Sequence, residues 1–355
     1  MRLRSILATF TVGLTAATCL TAAGPANANP PQYNACSSAV SIDGFSDALD
    51  KTTYDGTYVG NFSALAVDRD GSLLALSDRS ALFTLNHRTL APTGVVPLAE
   101  EKGAALDSEG LVVELPHSRL RSSGGTPIGT RLISSETEPS VRRYDREGRV
   151  LGSLPVPDAL KVAPAGRAAT NQTFEGLTLF PGGRTLLASM EGALSGDATS
   201  TVRFQTWDRR HGQDFRLSAQ YGYRADTGLG VVETVGLPDG RLLVLERGFT
   251  SGVGNTVRLY VADPRRATDT SGIENLTGQD DGVRLVRKTL LADLVNCPSL
   301  GAPAKQPQPN PLLDNIEGMV ITGHRHGRLN LLLVSDDNQN PAQITRFYRL
   351  AVRLP

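Results

Sequence analysis

The chain has 355 residues, and its 36 basic and 36 acidic side chains give a formal net charge of zero. This balance argues against a nucleic-acid-binding protein that relies on a strongly basic face. A content of 40% apolar and 20% charged residues is typical of a globular protein and excludes a disordered one. The length allows one large domain or two domains of medium size.

Residues 1–28 have the pattern of a secretory signal peptide. Arg2 and Arg4 give a positive start, residues 6–20 are apolar or small, and Ala26-Asn27-Ala28 is a small-residue cleavage signal. We therefore expect a secreted, extracellular protein whose mature domain covers residues 29–355. No later stretch approaches 18 apolar residues, so we expect no membrane span in the mature chain.

Removal of the signal peptide leaves two cysteines, Cys36 and Cys297. Two thiols in an exported protein favour one disulfide, and the alternative is a pair of buried, unpaired thiols.

One segment recurs five times after the signal peptide. It consists of a short apolar strand that opens with an acidic residue, a glycine-rich turn and a second strand that ends in an acidic residue. The clearest copy begins at Phe174-Glu175-Gly176 and ends at Met190-Glu191-Gly192, whereas the first copy has Ser63 at the acidic position. A third strand with period-two alternation follows each copy, which indicates strands with one buried face. The copies start at Ser63, Glu109, Glu175, Glu233 and Glu317.

Four-stranded antiparallel units at this spacing are typical of β-propeller blades. We therefore predict an all-β fold, a single β-propeller of five or six four-stranded blades. A degenerate sixth blade could lie within residues 262–312. The last copy lacks an outer strand, which residues 39–49 could supply from the N-terminus. Two packed β-sandwiches would also fit the strand content but would not explain the recurring acidic positions.

In a β-hairpin, the start of the first strand lies beside the end of the second. This geometry predicts that Ser63 faces Asp78 and that four acidic pairs form, namely Glu109/Glu136, Glu175/Glu191, Glu233/Glu246 and Glu317/Asp336. Blades arranged around an axis would bring all these hairpin ends to one mouth of the channel. Nine carboxylates would meet there: Asp78, Glu109, Glu136, Glu175, Glu191, Glu233, Glu246, Glu317 and Asp336.

Such a ring needs compensation, because like charges a few ångströms apart repel by about 1 kcal/mol or more per pair at an effective dielectric near 20. Raised pKa values, arginine partners or metal ions could supply it. Arg79 and Arg247 directly follow ring acids, and Asn315 and Asn338 add neutral oxygens. Oxygen-rich clusters without histidine or cysteine suit Ca²⁺. The alternative is that the carboxylates cap backbone amides and tie blades together.

Several of these segments resemble the phytase-like domain family, described as "esterase-like activity of phytase". They are Phe174-Glu175-Gly176-Leu177, Leu243–Phe249, Asp314–Met319, Leu333–Asn338 and, near the N-terminus, Ala75–Arg79. The resemblance spans about Phe62 to Leu350. It implies a secreted, bacterial-type β-propeller with an ester-directed activity, and it transfers no catalytic residues. The segments Phe62-Ser63-Ala64-Leu65 and Glu233-Thr234 depart from the family's pattern.

The sequence predicts two alternative functions of different classes, an enzyme and a binding protein. The first is a hydrolase of phosphate or carboxylic esters whose Ca²⁺-loaded mouth takes a small, polyanionic substrate such as phytate. Its candidate catalytic residues are Glu175, Glu246, Glu317 and Arg247, with Arg79 and Arg247 as candidate substrate contacts. The second is a non-catalytic propeller that binds a small molecule, glycan or envelope protein. The sequence has no G-x-S-x-G, Walker or H-E-x-x-H motif, so we expect no nucleotide or haem, and we expect a monomer.

Overall fold

The computed structural model describes residues 34–98, 106–114, 129–210, 213–278 and 282–355. The predicted signal peptide, residues 1–28, lies outside this part of the chain. The described residues form strands and two short 3-10 helices, Asp158–Leu160 and Leu294–Asn296. Among them, no helix is long and apolar enough to cross a membrane.

Five four-stranded antiparallel sheets form the blades of a β-propeller. Blade one contains β4 (Phe62–Val67), β5 (Leu73–Ser77), β6 (Ala81–Leu85) and β7 (Pro92–Pro97). Blade two contains β8 (Ser108–Glu114), β9 (Thr130–Ser135), β10 (Ser140–Tyr144) and β11 (Val150–Ser153). Blade three contains β12 (Phe174–Leu179), β13 (Thr185–Met190), β14 (Thr201–Asp208) and β15 (Arg216–Arg224). Blade four contains β16 (Gly230–Gly236), β17 (Leu242–Thr250), β18 (Gly254–Asp263) and β19 (Arg287–Asp293). Blade five contains β20 (Ile316–Arg325), β21 (Arg328–Ser335), β22 (Phe347–Val352) and β1 (Val40–Ser46).

The N-terminal strand closes the ring. β1 pairs with β22, so that Val40 lies opposite Val352, and the prediction that the N-terminus supplies the missing outer strand is confirmed. The Cys36–Cys297 disulfide forms immediately before β1 and is also confirmed. A separate two-stranded hairpin, β2 (Thr52–Tyr54) and β3 (Thr57–Val59), follows β1.

The blade number is five, because the stretch proposed to hold a sixth blade has another role. Within the described part of residues 262–312, β19 is the outer strand of blade four. The rest contains a 3-10 helix and loops.

The inner strands of the blades are buried on both faces, which explains their apolar residues. In β5 all five residues, Leu73–Ser77, are buried. Aromatic rings fill the space around the inner strands: Phe174 meets Trp207 edge-on, with ring centroids 5.9 Å apart. Such pairs add to the stabilisation that burial provides.

The first strands of the five blades, β4, β8, β12, β16 and β20, contact one another around the axis. Glycines at equivalent positions allow this approach. A Cβ on Gly176 would lie 2.6 Å from the Thr234 backbone nitrogen, and one on Gly318 would lie 3.1 Å from the Ala64 Cα. The glycine of the recurring Glu-Gly pair is therefore required by packing around a narrow axis.

Candidate functional site

Each inner strand carries a β-bulge near its start. In blade one, Phe62 pairs with Ser77 and Ala64 pairs with Leu76, which leaves Ser63 as the extra residue. Register shifts occur at equivalent places in the other four blades. A bulge changes the direction of a side chain, and in blades two, three and five it leaves a glutamate outside the regular pairing. These are Glu109, Glu175 and Glu317.

These bulges open onto a cavity of about 440 Å³ at one end of the axis. Eight carboxylates line it: Asp78, Asp107, Glu109, Glu136, Glu175, Glu191, Glu317 and Asp336. The other lining residues are Ser63, Asn171, Arg247, Phe249, Gln306, Asn315, Asn338, Asn340 and Gln343. Seven of the nine carboxylates predicted to converge therefore meet in this acidic cavity, together with Asn315 and Asn338.

Asp107 is the cavity carboxylate that sequence reasoning missed. It lies one residue before β8, outside the acidic positions that the repeat defines. No repeated signal marks it, because the equivalent residues Asn61 and Thr173 are not acidic.

The predicted pairing of Glu233 with Glu246 is wrong. In blade four, Val231 pairs with Glu246 and Glu233 pairs with Leu245, so the extra residue is Val232. The acidic residues of this blade are thus displaced by one position from those of the others. Val232 therefore occupies the bulge position that Glu175 occupies in blade three. Arg247 occupies the position that Glu191 occupies in blade three.

Glu246 consequently lies within blade four and outside the acidic cavity. Its Oε1 accepts hydrogen bonds from the Tyr223 hydroxyl at 2.5 Å and from Lys288 Nζ at 2.6 Å. Its Oε2 accepts from the Asp226 backbone at 2.8 Å. These contacts satisfy a buried charge inside the blade, which is a structural arrangement.

Glu233 takes the place that glycine holds in three other inner strands, and its carboxyl group lies among those strands. It accepts from its neighbour Thr234 N at 2.8 Å and from the backbone N–H groups of Met319 and Leu177. Burial raises its pKa well above the usual range. Glu233 borders a different cavity, of about 280 Å³, which is lined mainly by apolar residues.

Burial is the main cause of the unusual ionisation of the acidic cavity. It raises the pKa of Glu109, Glu175 and Glu317 well above the usual range, and neighbouring carboxylates add to the effect. Burial, with repulsion from Asp336, raises the pKa of Asp78 to about 7. Cavity carboxyl groups therefore hold protons near neutral pH when no cation compensates them.

Glu136 and Asp336 follow the same pattern. Burial, together with the carboxylate of Glu191, raises the pKa of Glu136 to about 7. Burial raises the pKa of Asp336 to about 6, even though Asn338 N–H donates to it.

Among the described residues, Arg247 is the one cationic side chain that lines this cavity. Its Nη2 donates to Glu317 Oε1 at 2.9 Å and lies 3.9 Å from Glu191 Oε1. Burial lowers its pKa, but the surrounding carboxylates outweigh this and raise it. By contrast, the side chain of Arg79 is 64% exposed, with Nε 3.4 Å from Asp78 Oδ1, and it does not line the cavity.

Within the part of the chain that the structure describes, two triads of carboxylates are close enough to hold a cation. Each offers three oxygens that lie within 4.8 Å of one another, and the triads are Asp107/Glu109/Glu136 and Glu136/Glu175/Glu191. Glu136 belongs to both. Its Oε1 is buried and has no hydrogen-bond partner among the described residues. A buried acceptor without a donor is expected where an ion binds, so the donor set fits a hard divalent cation.

The family model Phytase-like, described as "Esterase-like activity of phytase", matches residues 57–339. No curated protein matches the chain.

Similar solved structures include a Bacteroides caccae protein of unknown function, with a TM-score of 0.33 and 10% identity over 76% of this chain and 68% of the other. The Neurospora crassa Pan2 WD40 domain has a TM-score of 0.37 and 8% identity over 89% and 96%. The Myceliophteria thermophila Cps50 (Swd1) β-propeller domain has a TM-score of 0.33 and 12% identity over 82% and 83%.

Proposed function

The chain belongs to the Phytase-like family, and we propose that its acidic cavity binds Ca²⁺ and hydrolyses phosphate or carboxylic esters. We further propose that the protein acts outside the cell, where its disulfide is stable. The observation that carries the proposal is the position of Glu136, which is shared by two carboxylate triads and has a buried oxygen without a donor.

The charge of the cavity supports a cation. Eight carboxylates and one arginine line it, so ionised carboxylates would leave a large excess of negative charge. All the ligand atoms on offer are oxygens, which favours Ca²⁺ over zinc or copper. When bound, Ca²⁺ polarises an ester oxygen and lowers the pKa of a coordinated water.

Arg247 is placed to orient an anionic ester. Its Nη2 is held by Glu317, and the side chain lines the cavity. A guanidinium fixed at one nitrogen can donate to a phosphate or carboxylate oxygen from another. Arg79, whose Nε lies 3.4 Å from Asp78 Oδ1, remains a candidate for a more distant substrate contact.

Proton transfer is assigned to the carboxyl groups that retain a proton near neutral pH. Asp78, whose pKa is raised to about 7, can donate a proton to a leaving alkoxide. Glu175 and Glu317 remain candidates for the same chemistry or for cation binding. Glu246 has no part in it, since Tyr223 and Lys288 occupy its carboxylate.

A substrate panel tests this function. Phytate, p-nitrophenyl phosphate and p-nitrophenyl acetate are each incubated with Ca²⁺ and with chelator. We expect hydrolysis that requires Ca²⁺ and that falls at least about tenfold, equivalent to 1.4 kcal/mol, in Glu136→Gln. Glu138→Gln is the matched control, since Glu138 lies two residues away and is 77% exposed.

Turnover that persists in chelator would contradict the role of calcium. Absence of turnover for every ester would contradict the hydrolase and favour the non-catalytic binding function.

A further inference from the structure

The fourth blade departs from the others at the mouth of the acidic cavity. In the other blades the second strand ends at Ser77, Ser135, Met190 or Ser335. In blade four, Glu246 holds the equivalent position, but β17 continues to Thr250. Its pairing with β18 also continues, and Phe249 lies opposite Asn255. This extended hairpin forms one wall of the mouth.

The hairpin is held in place from the outside. The Asn255 backbone donates to Gln308 Oε1 at 2.8 Å. A Cβ on Gly254 would lie 2.6 Å from the Pro307 carbonyl oxygen, so the hairpin packs directly on this loop. Phe249 is nevertheless 53% exposed, and it is the one aromatic residue among the exposed large hydrophobic side chains of the described chain.

A second cavity, of about 360 Å³, lies beside the acidic one. Glu191, Arg247 and Phe249 line both cavities, so the two are contiguous. Apart from these three residues, the second cavity is lined by uncharged residues: Gln172, Gly192, Ala193, Thr199, Ser200, Val202, Gly228, Leu229, Gly230 and Gly248.

Four glycines line this second cavity, the neutral cavity, so that backbone forms part of its walls. A Cβ on Gly248 would lie 2.4 Å from the Gly228 carbonyl oxygen, and one on Gly230 would lie 2.8 Å from Glu191 Cγ. Thr199 and Ser200 add hydroxyl groups to the lining. The cavity therefore combines short polar groups with one exposed aromatic ring.

We propose that the neutral cavity is a binding site for an uncharged sugar ring, with Phe249 as its stacking surface. A pyranose presents an apolar C–H face, which suits an aromatic ring, and an edge of hydroxyl groups, which suits hydroxyls and backbone polar atoms. A multiply charged ring is disfavoured, because the described lining of this cavity offers one cation, Arg247, and also the carboxylate of Glu191.

The role of this sugar site rests on the proposed function, because the sugar would carry the ester that the acidic cavity hydrolyses. A ring seated against Phe249 would place an attached ester beyond Arg247, in the acidic cavity. The substrate class is therefore an ester carried on a neutral sugar.

The experiment uses methyl glycosides, which contain no ester, so that binding is tested apart from hydrolysis. Saturation-transfer NMR is recorded on methyl glucoside, galactoside and mannoside with the whole protein. We expect transfer to the ring protons of at least one glycoside. In Phe249→Ala, binding should weaken by about two- to tenfold, the size of one aromatic contact. Phe249→Tyr should restore it.

Val253→Ala is the matched control, because Val253 is 55% exposed on the same hairpin and lines neither cavity. Absence of transfer for all three glycosides, or equal binding by Phe249→Ala, would overturn the inference. Glycoside binding without ester hydrolysis would retain the sugar site and contradict the hydrolase. Hydrolysis without glycoside binding would retain the hydrolase and contradict the sugar site.

Discussion

Arg247 of blade four donates to Glu317 of blade five at 2.9 Å, from the position that the other four blades fill with a carboxylate. The equivalent residues are Asp78, Glu136, Glu191 and Asp336. Blade four thus contributes a positive charge to a ring of negative ones, and it links that charge to the neighbouring blade. Arg247 therefore compensates part of the negative charge of the acidic cavity.

Removing this charge should destabilise the cation-free protein. Arg247→Ala leaves Glu317 and Glu191 without their cationic partner, and breaking a buried ion pair costs roughly 3–5 kcal/mol. Added Ca²⁺ should recover part of the loss. Urea denaturation in chelator and in Ca²⁺ measures both effects. Arg79→Ala is the control, with an expected change below about 1 kcal/mol, because that side chain is 64% exposed. Equal stability of Arg247→Ala and the parent in chelator would contradict the account.

The sequence predicted the propeller and most of its acidic cavity, because both depend on local patterns that recur. Period-two alternation identifies the strands, and the Glu-Gly pair identifies the bulge. The sequence could not place blade four, where Val232 holds the bulge and the glutamate follows one residue later. A one-residue change in register reverses the direction of a side chain, and only the pairing of Val231 with Glu246 shows that it has occurred.

The same register change makes Glu233 a structural residue. Glu233→Ala should cost about 1–3 kcal/mol, because the N–H groups of Leu177 and Met319 lose their acceptor. Glu233→Gln keeps an acceptor oxygen and a neutral side chain, so its stability at pH 8 should equal or exceed that of the parent. Neither change should alter the response to Ca²⁺, which thermal melts would measure. Loss of the calcium response in Glu233→Gln would place Glu233 in the cation site and contradict this assignment.

Stability of the cation-free protein should fall as pH rises from about 4 to about 7. In this range the folded state binds more protons than the unfolded state, since the pKa of Asp78 is raised to about 7 and that of Asp336 to about 6. A carboxyl group that binds its proton tenfold more tightly in the folded state than in the unfolded state contributes about 1.4 kcal/mol to this loss. Ca²⁺ should reduce it.

At acidic pH the folding stability falls for the opposite reason, because a carboxylate whose pKa is lowered in the folded state becomes protonated. Lys288, Tyr260 and Arg258 donate to Asp226 and lower its pKa to about 2 despite partial burial. This stabilisation is present above pH 4 and is lost as pH falls towards 2. Urea denaturation of metal-depleted protein should therefore give maximum stability near pH 4. A maximum at pH 8 would contradict the raised pKa values of the acidic cavity.

The disulfide should contribute strongly because it joins residues 261 positions apart. Cross-links that close long loops stabilise proteins mainly by restricting the unfolded chain, and their removal typically costs about 2–5 kcal/mol. Cys36 precedes β1, so Cys297→Ser should also loosen the strand that closes blade five. Hydrogen exchange should increase first in β1 and β22. Uniform exchange with an unchanged melting temperature would show that strand pairing alone closes the ring.

Calcium titration of metal-depleted protein, followed by calorimetry, tests the central claim most directly. We expect binding with a dissociation constant of roughly 10⁻⁴ to 10⁻³ M, as in extracellular calcium sites. At a hundredfold excess over that constant the folded state should gain about 2.7 kcal/mol. Glu136→Gln should abolish binding, whereas Glu138→Gln should leave it intact. Absence of binding at millimolar Ca²⁺, or equal binding by Glu136→Gln, would contradict the proposal that this cavity is a calcium site.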